Sequence, residues 1–366
     1  MSKEPQRLLS LDAFRGLTIA GMILVNNSGS PDKYSPLKHA DWHGWTPTDL
    51  VFPSFLLIAG VAIPLAFSKR AERGDSTSSL IWKILRRSAL IFAIGMLLNA
   101  FPGYWPRRFP GVLQRIALCY LAASLLYLNL SRRALTITTV ALLLGYWAAM
   151  TLIPVPGIGA GDLSRPNNLA AWVDRAVLSG HLYKDDYDPE GILSTFPAVA
   201  TTLIGVLTGI WMLTARPVAE KVSGIFAAGT VLLALGAFWG MAFPINKALW
   251  TSSFTLYSAG WSLLLLGCFG WLIEVENVKR WAWPFLVFGA NPLVAYVLSG
   301  LTMSMASRTE VQGASGMVSI RKFVYEQGFA SWAEPSMASF LFALSYVLLW
   351  LLLMAVLYRF KVFIRL

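Results

Sequence analysis

The chain has 366 residues, of which 56% are hydrophobic and 13% charged, and its mean hydropathy is positive. That balance excludes a water-soluble globular domain and predicts an all-α polytopic membrane protein, a helical bundle with about ten transmembrane helices. The formal charge of +11 comes with no basic-aromatic recognition surface, so nucleic acid is not an expected partner and membrane topology is the better account of it.

A helix crosses the hydrocarbon core in roughly 20 apolar residues. Such stretches fall at 8–27, 48–67, 82–100, 111–130, 134–153, 194–214, 221–243, 252–273, 282–304 and 336–358. Runs such as VLLALGAFWG are continuously apolar, where barrel strands would alternate, and this selects helices. The basic, then apolar start has the look of a signal peptide. Asp12 and Arg15 interrupt its apolar run and no A-x-A-like site follows, so it is expected to stay as the first membrane helix.

Placing the N-terminus in the cytoplasm gathers Lys3, Arg7, Lys69, Arg70, Arg73, Lys83, Arg86, Arg87, Arg132, Arg133, Arg216, Lys221, Lys279, Arg280, Arg359, Lys361 and Arg365 on that side. Residues 154–193 and 305–335 become outer-side loops with most of the acids, and both termini face the cytoplasm. Residues 1–366 read as a single integral membrane domain. No repeat is visible, and the polar residues crowd the first two spans, which counts against an inverted-repeat carrier. A ten-helix transporter for a sugar or acetylated amino sugar is the alternative reading.

The segment KHADWHGWTPTDLVFP, residues 38–53, holds two histidines, two aspartates, two tryptophans and two threonines between two apolar spans. Ionisable groups are costly at a membrane boundary, so this loop is the candidate reactive site, with His39 its leading residue. His39, His43 and an aspartate have the donor types zinc takes. Gly44 and Pro47 oppose the helix that would set both imidazoles on one face, so no metal is expected. Cys119 and Cys268 stand singly in apolar spans and read as packing residues. Trp42 and Trp45 flank the loop and are candidates to stack on a sugar face; Trp105, Trp250, Trp261, Trp281 and Trp283 suit an interfacial belt. His181 reads as an ordinary loop residue.

LDAFRG, VNN, KHADWHGWTPTDLVFP, RFPGVLQR, DPEGILST, PINKALWTSSF and FGANPLVAYVLS occur in this order along nearly the whole chain. Together they resemble the heparan-α-glucosaminide N-acetyltransferase family and its bacterial relatives. The LDAFRG start also looks like the opening of the wider transmembrane acyltransferases, although Asn26 and Asn27 stand where that group often has a histidine. The resemblance implies acetyl transfer from cytosolic acetyl-CoA to the amine of a glucosamine-type sugar across the membrane, with a possible homodimer, and the compact chain without organelle features is expected to be a bacterial inner-membrane protein. It implies a catalytic role for His39 and a place for Asn26 in the same site. Animal members act on heparan sulfate in lysosomes and carry a further luminal domain, which this chain is expected to lack, so the polymer substrate does not carry over.

An amine attacks a thioester only as its free base, which suits a neutral imidazole as proton acceptor. His39 is therefore a general base or, alternatively, a transient acetyl carrier. Asn26 either holds the imidazole or the thioester oxygen, or makes an interhelical hydrogen bond. Asp49 either caps the second span or orients substrate or His39. Arg15, beside Asp12, either fixes packing through an ion pair or recognises CoA phosphates. Arg115, at the head of an apolar span, either pairs with an acid or reaches a bound anion, and His43 joins the tryptophans as a substrate-binding candidate.

Overall fold

The computed structural model describes residues 8–101, 107–313 and 316–364. Lys3, Arg7, Trp105 and Arg365, used in the topology and belt arguments, lie outside them. The described helices are α1 (Leu9–Asn26), α2 (Val51–Glu72), α3 (Thr77–Ala100), α4 (Val112–Asn129), α5 (Arg132–Leu152), α6 (Leu169–Leu178), α7 (Thr195–Met212), α8 (Val218–Trp239), α9 (Ser252–Gly270), α10 (Trp283–Ala290), α11 (Pro292–Ala306), α12 (Ile320–Tyr325) and α13 (Pro335–Arg359). A short antiparallel hairpin, β1 (Glu310–Gly313) with β2 (Gly316–Ser319), pairs Val311 with Val318.

Eight helices among the described residues are long and apolar enough to cross a membrane, and α10 with α11 meets the same test only as a pair bent by 72°. The bend has a local cause. Pro292 opens α11 without a backbone N–H, and Asn291 before it sits at φ −132° and ψ 55°, outside the helical region. The continuous span expected over 282–304 is thus two helices set at an angle. α3 has the length of a span but carries Lys83, Arg86 and Arg87 within it, which sets it apart from the apolar group while it packs on α4.

Apolar side chains gain little by leaving lipid for one another, so close packing must hold such helices together. Gly16 lets α1 press against α10, where a methyl group would stand 1.7 Å from the Phe285 carbonyl oxygen. α2 and α7 meet in the same way through Gly60 and Gly205, around the buried Leu57, Val61, Leu203 and Val206. Outward faces of α5, α8 and α13 instead present Ile137, Leu144, Val231, Phe238, Leu352 and Val356.

One end of the bundle gathers the segments between helices into a knit layer, called here the loop end. The Gly44 N–H donates to the Ile245 carbonyl (2.7 Å) and the Phe109 N–H to that of His181 (3.0 Å). Trp42 donates through Nε1 to the Leu163 carbonyl (2.9 Å), and Arg321 to that of Ser28 (2.7 Å). Residues 154–193, 305–313 and 316–335 belong to this layer.

Candidate active site

His39 and Asp49 meet at the loop end. The sequence puts Asp49 in the first turn ahead of α2, where Pro47 preorganises the turn and the Asp49 carboxylate reaches back to the Thr46 N–H (3.0 Å). The same Oδ2 accepts the Ala40 N–H at 3.0 Å, which fixes the strand of chain that carries His39. Oδ1 is left for the imidazole, and His39 Nδ1 lies 2.6 Å from it. Capping and orienting, weighed as alternatives for Asp49, are performed by its two oxygens at once.

A contact of 2.6 Å to an anionic oxygen assigns the ring proton to Nδ1. Nε2 is then the basic nitrogen, and it has no hydrogen-bond partner among the described residues. Burial divides the pair: the Asp49 side chain is 1% exposed and that of His39 52% exposed. A buried, fully bonded carboxylate thus steadies an imidazole that is open to a ligand.

The third member comes from the loop between α8 and α9. Lys247 Nζ lies 3.3 Å from Asp49 Oδ1 and 3.0 Å from His39 Nδ1. Burial lowers the Lys247 pKa from the usual amine value, against the opposing pull of Asp49 and Glu190. Its loop is rigidly held. Asn246 is fully buried, accepts the Leu249 N–H (2.9 Å) and lies 3.3 Å from His43 Nδ1. Trp250 is buried at a left-handed φ of 52°, a conformation that persists in a bulky residue only when its surroundings enforce it.

The other expected site residues are dispersed. Asn26 is exposed at the end of α1 and makes no hydrogen bond to His39. Trp42 packs edge-on against Tyr187 at 5.4 Å, on the wall beside His43. Trp45 turns the other way, onto Tyr257 and Trp261 of α9, and anchors the loop to the bundle. Arg115 is 1% exposed and donates to the Gly191 carbonyl and Ser194 Oγ, with its guanidinium 5.1 Å from the Trp250 ring. It ties the DPEG segment to the lysine loop. In that segment Asp188 accepts Arg108 Nε at 2.8 Å, and Glu190 pairs with the same arginine. Asp174, on α6, accepts the Ile192 N–H (2.8 Å), and burial pushes its carboxyl up to about 6. His181 stacks on Phe109 at 3.9 Å.

A cavity of about 560 Å³ runs between α1, α2, α3, α4 and α11. Arg15, Lys69, Arg70 and Arg87 are among its walls at one end, and Met22, Phe55, Leu113 and Ile116 line it with apolar surface. Arg15 bonds Asp12 at 3.0 Å and lines this cavity as well, so ion pairing does not remove it from the space. Met22 precedes Asn26 by one helical turn, about 6 Å of rise. The cavity therefore starts at the end opposite His39 and reaches toward it.

Residues 7–238 match a family model described as heparan-alpha-glucosaminide N-acetyltransferase, catalytic. The chain belongs to this family. The heparan-alpha-glucosaminide N-acetyltransferase of Homo sapiens is 33% identical over 360 residues, covering 81% of this chain and 53% of that one. The Mus musculus protein of the same name is 32% identical over 355 residues, covering 80% and 53%. The chain spans about half the length of these curated relatives. The family match contains His39 and Asp49 and stops short of Lys247.

Asn246 and Lys247 were not singled out by sequence reasoning. They stand in PINKALWTSSF, one of the blocks that carried the resemblance. The available signal was a lone lysine, beside an asparagine, in an otherwise largely apolar loop between two apolar spans.

Proposed function

We propose that this family member is a transmembrane N-acetyltransferase that passes the acetyl group of acetyl-CoA to the amine of a glucosamine-type sugar, with His39 as its reactive residue. The observation that carries the reading is the dyad: a buried Asp49 oxygen 2.6 Å from Nδ1 leaves Nε2 of an exposed imidazole as the one basic nitrogen. In direct transfer the sugar nitrogen attacks the thioester carbon, its proton goes to Nε2, and the C–S bond breaks to release CoA. In the carrier route Nε2 attacks the thioester carbon and the C–S bond breaks to expel CoA thiolate; the amine then attacks the acetyl carbon, the C–Nε2 bond breaks to restore the imidazole, and the amine proton goes to the thiolate. Exchange of labelled CoA into acetyl-CoA without acceptor separates the two routes.

The cavity supports a cytosolic source for the donor. Arg15, Lys69, Arg70 and Arg87 suit the phosphates of CoA, and the apolar interior suits the pantetheine arm that leads the thioester toward the loop end. Arg115 serves in this reading as the brace behind the lysine loop. The acceptor enters from the outer side, beside Trp42 and His43, and both chain termini are cytoplasmic. Cysteines placed at Ser76 and Ser131 in a Cys119→Ser, Cys268→Ser background should react only from the cytoplasm, and one at Ser164 only from outside. The reverse pattern would overturn the sidedness.

The decisive experiment measures thiol release from acetyl-CoA by detergent-purified protein, with and without glucosamine. No compartment exists there for transport to be scored. Amine-dependent release is the expected result. Amino sugars that bind and cross proteoliposomes while releasing no CoA would favour a transporter instead.

A further inference from the structure

We infer that Lys247 is a positioning residue of this reaction, an ammonium that bridges Asp49 and the ring of His39 so that the carboxylate orients the imidazole without charging it. The inference rests on the reading of His39 as the reactive residue. It starts from three distances among three side chains: 2.6 Å from Asp49 Oδ1 to His39 Nδ1, 3.3 Å from Oδ1 to Lys247 Nζ, and 3.0 Å from Nζ to Nδ1.

Nδ1 holds one proton and donates it in a hydrogen bond to the carboxylate. An ammonium has donors only and cannot hydrogen-bond to a nitrogen that is itself a donor. The Lys247 ammonium is therefore directed at Asp49 Oδ1, and toward the imidazole it acts as a nearby positive charge. The consequence follows from counting charges. An aspartate alone beside a histidine favours imidazolium, which has no lone pair left to receive a proton or an acetyl group. With Lys247 present, the carboxylate charge is already matched, and adding a proton at Nε2 leaves the group with a net positive charge. The hydrogen bond that sets the tautomer survives, while the electrostatic pull toward the inactive imidazolium is cancelled.

The surroundings fit a placed charge better than an incidental one. Lys247 follows the fully buried Asn246 and precedes Trp250, which is held at positive φ between Phe52 and Phe254. The charged and titratable groups that face its amine are Asp49 from the head of α2, His39 from the 38–46 loop and Glu190 from the segment before α7. Glu190 is itself engaged by Arg108. Asp49 is thus the acid within ion-pair reach of the lysine, and His39 is the group whose protonation the lysine governs.

The test reads the imidazole directly. The chain has three histidines, His39, His43 and His181, so ¹⁵N-histidine spectra of the full-length protein in nanodiscs are simple, and His39→Gln assigns the signal. In Lys247→Met the His39 titration midpoint should rise by about one pH unit, the order expected for removing a partly screened charge a few ångströms away. Lys247→Arg should stay close to wild type. The acidic limb of kcat/KM for acetyl transfer should move with the midpoint. An unchanged midpoint in a folded Lys247→Met or Lys247→Gln protein overturns the inference. So does loss of folding in both neutral variants alongside a folded Lys247→Arg, since Lys247 would then be serving structure alone. If the wild type acetylates no amino sugar, the enzymatic reading fails by itself, and the spectra still decide whether Lys247 governs the charge on His39.

Discussion

The loop-end triad and the basic-rimmed cavity are built differently, and in the proposed reaction they would meet different demands. Around His39 each polar contact is individually placed: Asp49 accepts the Ala40 and Thr46 N–H groups on one oxygen and meets His39 and Lys247 with the other. Along the cavity, four basic side chains stand among apolar walls and are held more loosely, Arg15 by its pair with Asp12 and Arg87 by the Tyr120 ring 4.8 Å away. A group that moves a proton needs one tautomer and one orientation. A rim that receives phosphates needs positive charge and reach, and tolerates approximate placement. Substitutions should therefore act sharply at one end and gradually at the other.

The largest expected effect is at His39. Its side chain is half exposed and fills no core space, so His39→Ala should insert and fold while amine-dependent thiol release falls by about 10²- to 10⁴-fold. Near-normal turnover in that variant would remove the triad from the reaction. His43→Ala should cost much less, since Asn246 is its hydrogen-bonding neighbour and Asp49 is not.

Asp49→Asn comes next. It keeps the shape but gives up the charge that Lys247 and the imidazole share, so activity should drop by roughly 10- to 100-fold. The melting temperature should drop with it, because each charged hydrogen bond in a buried setting contributes about 1.5–3 kcal/mol. A variant with normal melting and normal rate would leave Asp49 as a replaceable cap.

At the cavity the expectation is a graded change in KM. Arg15→Ala combined with Arg70→Ala should raise KM for acetyl-CoA by about 5- to 20-fold with kcat nearly preserved, and the difference should shrink in high salt. A fall in kcat at constant KM would contradict the division between the two ends.

The smallest effect concerns the frame of the loop end. Asp174 holds its proton more tightly in the fold, at about 6 against an ordinary 3.8, because burial disfavours its charged form by more than the Ile192 N–H favours it. A carboxyl raised on folding contributes stability that is complete below the unfolded value and lost as pH rises through about 6. The difference is on the order of 3 kcal/mol. The layer formed by 154–194 should thus resist limited proteolysis better at pH 5 than at pH 7.5, and Asp174→Asn should flatten that dependence. Equal pH dependence in both proteins would show that Asp174 is not the group responsible.

The sequence by itself determined the class of fold and the place to look. Long apolar runs have no stable state in a membrane but helices, because each backbone N–H and C=O must be satisfied within the segment. Most of the expected crossings could therefore be read as composition and length. The KHADWHGW loop was legible for a related reason, since charges and imidazoles at a membrane boundary are costly to keep. Tertiary structure decided what pattern does not encode. Asn291 and Pro292 break a span whose hydropathy is continuous, because a bend depends on one backbone N–H and not on apolarity. Trp42 and Trp45, three residues apart in one loop, face opposite ways, one to Tyr187 and one to α9. Lys247 joins Asp49 across 198 positions of chain, and Arg115 supports that loop through Trp250. Such contacts are set by which helices pack closely enough to bring distant loops together, and no local period in the sequence records that distance.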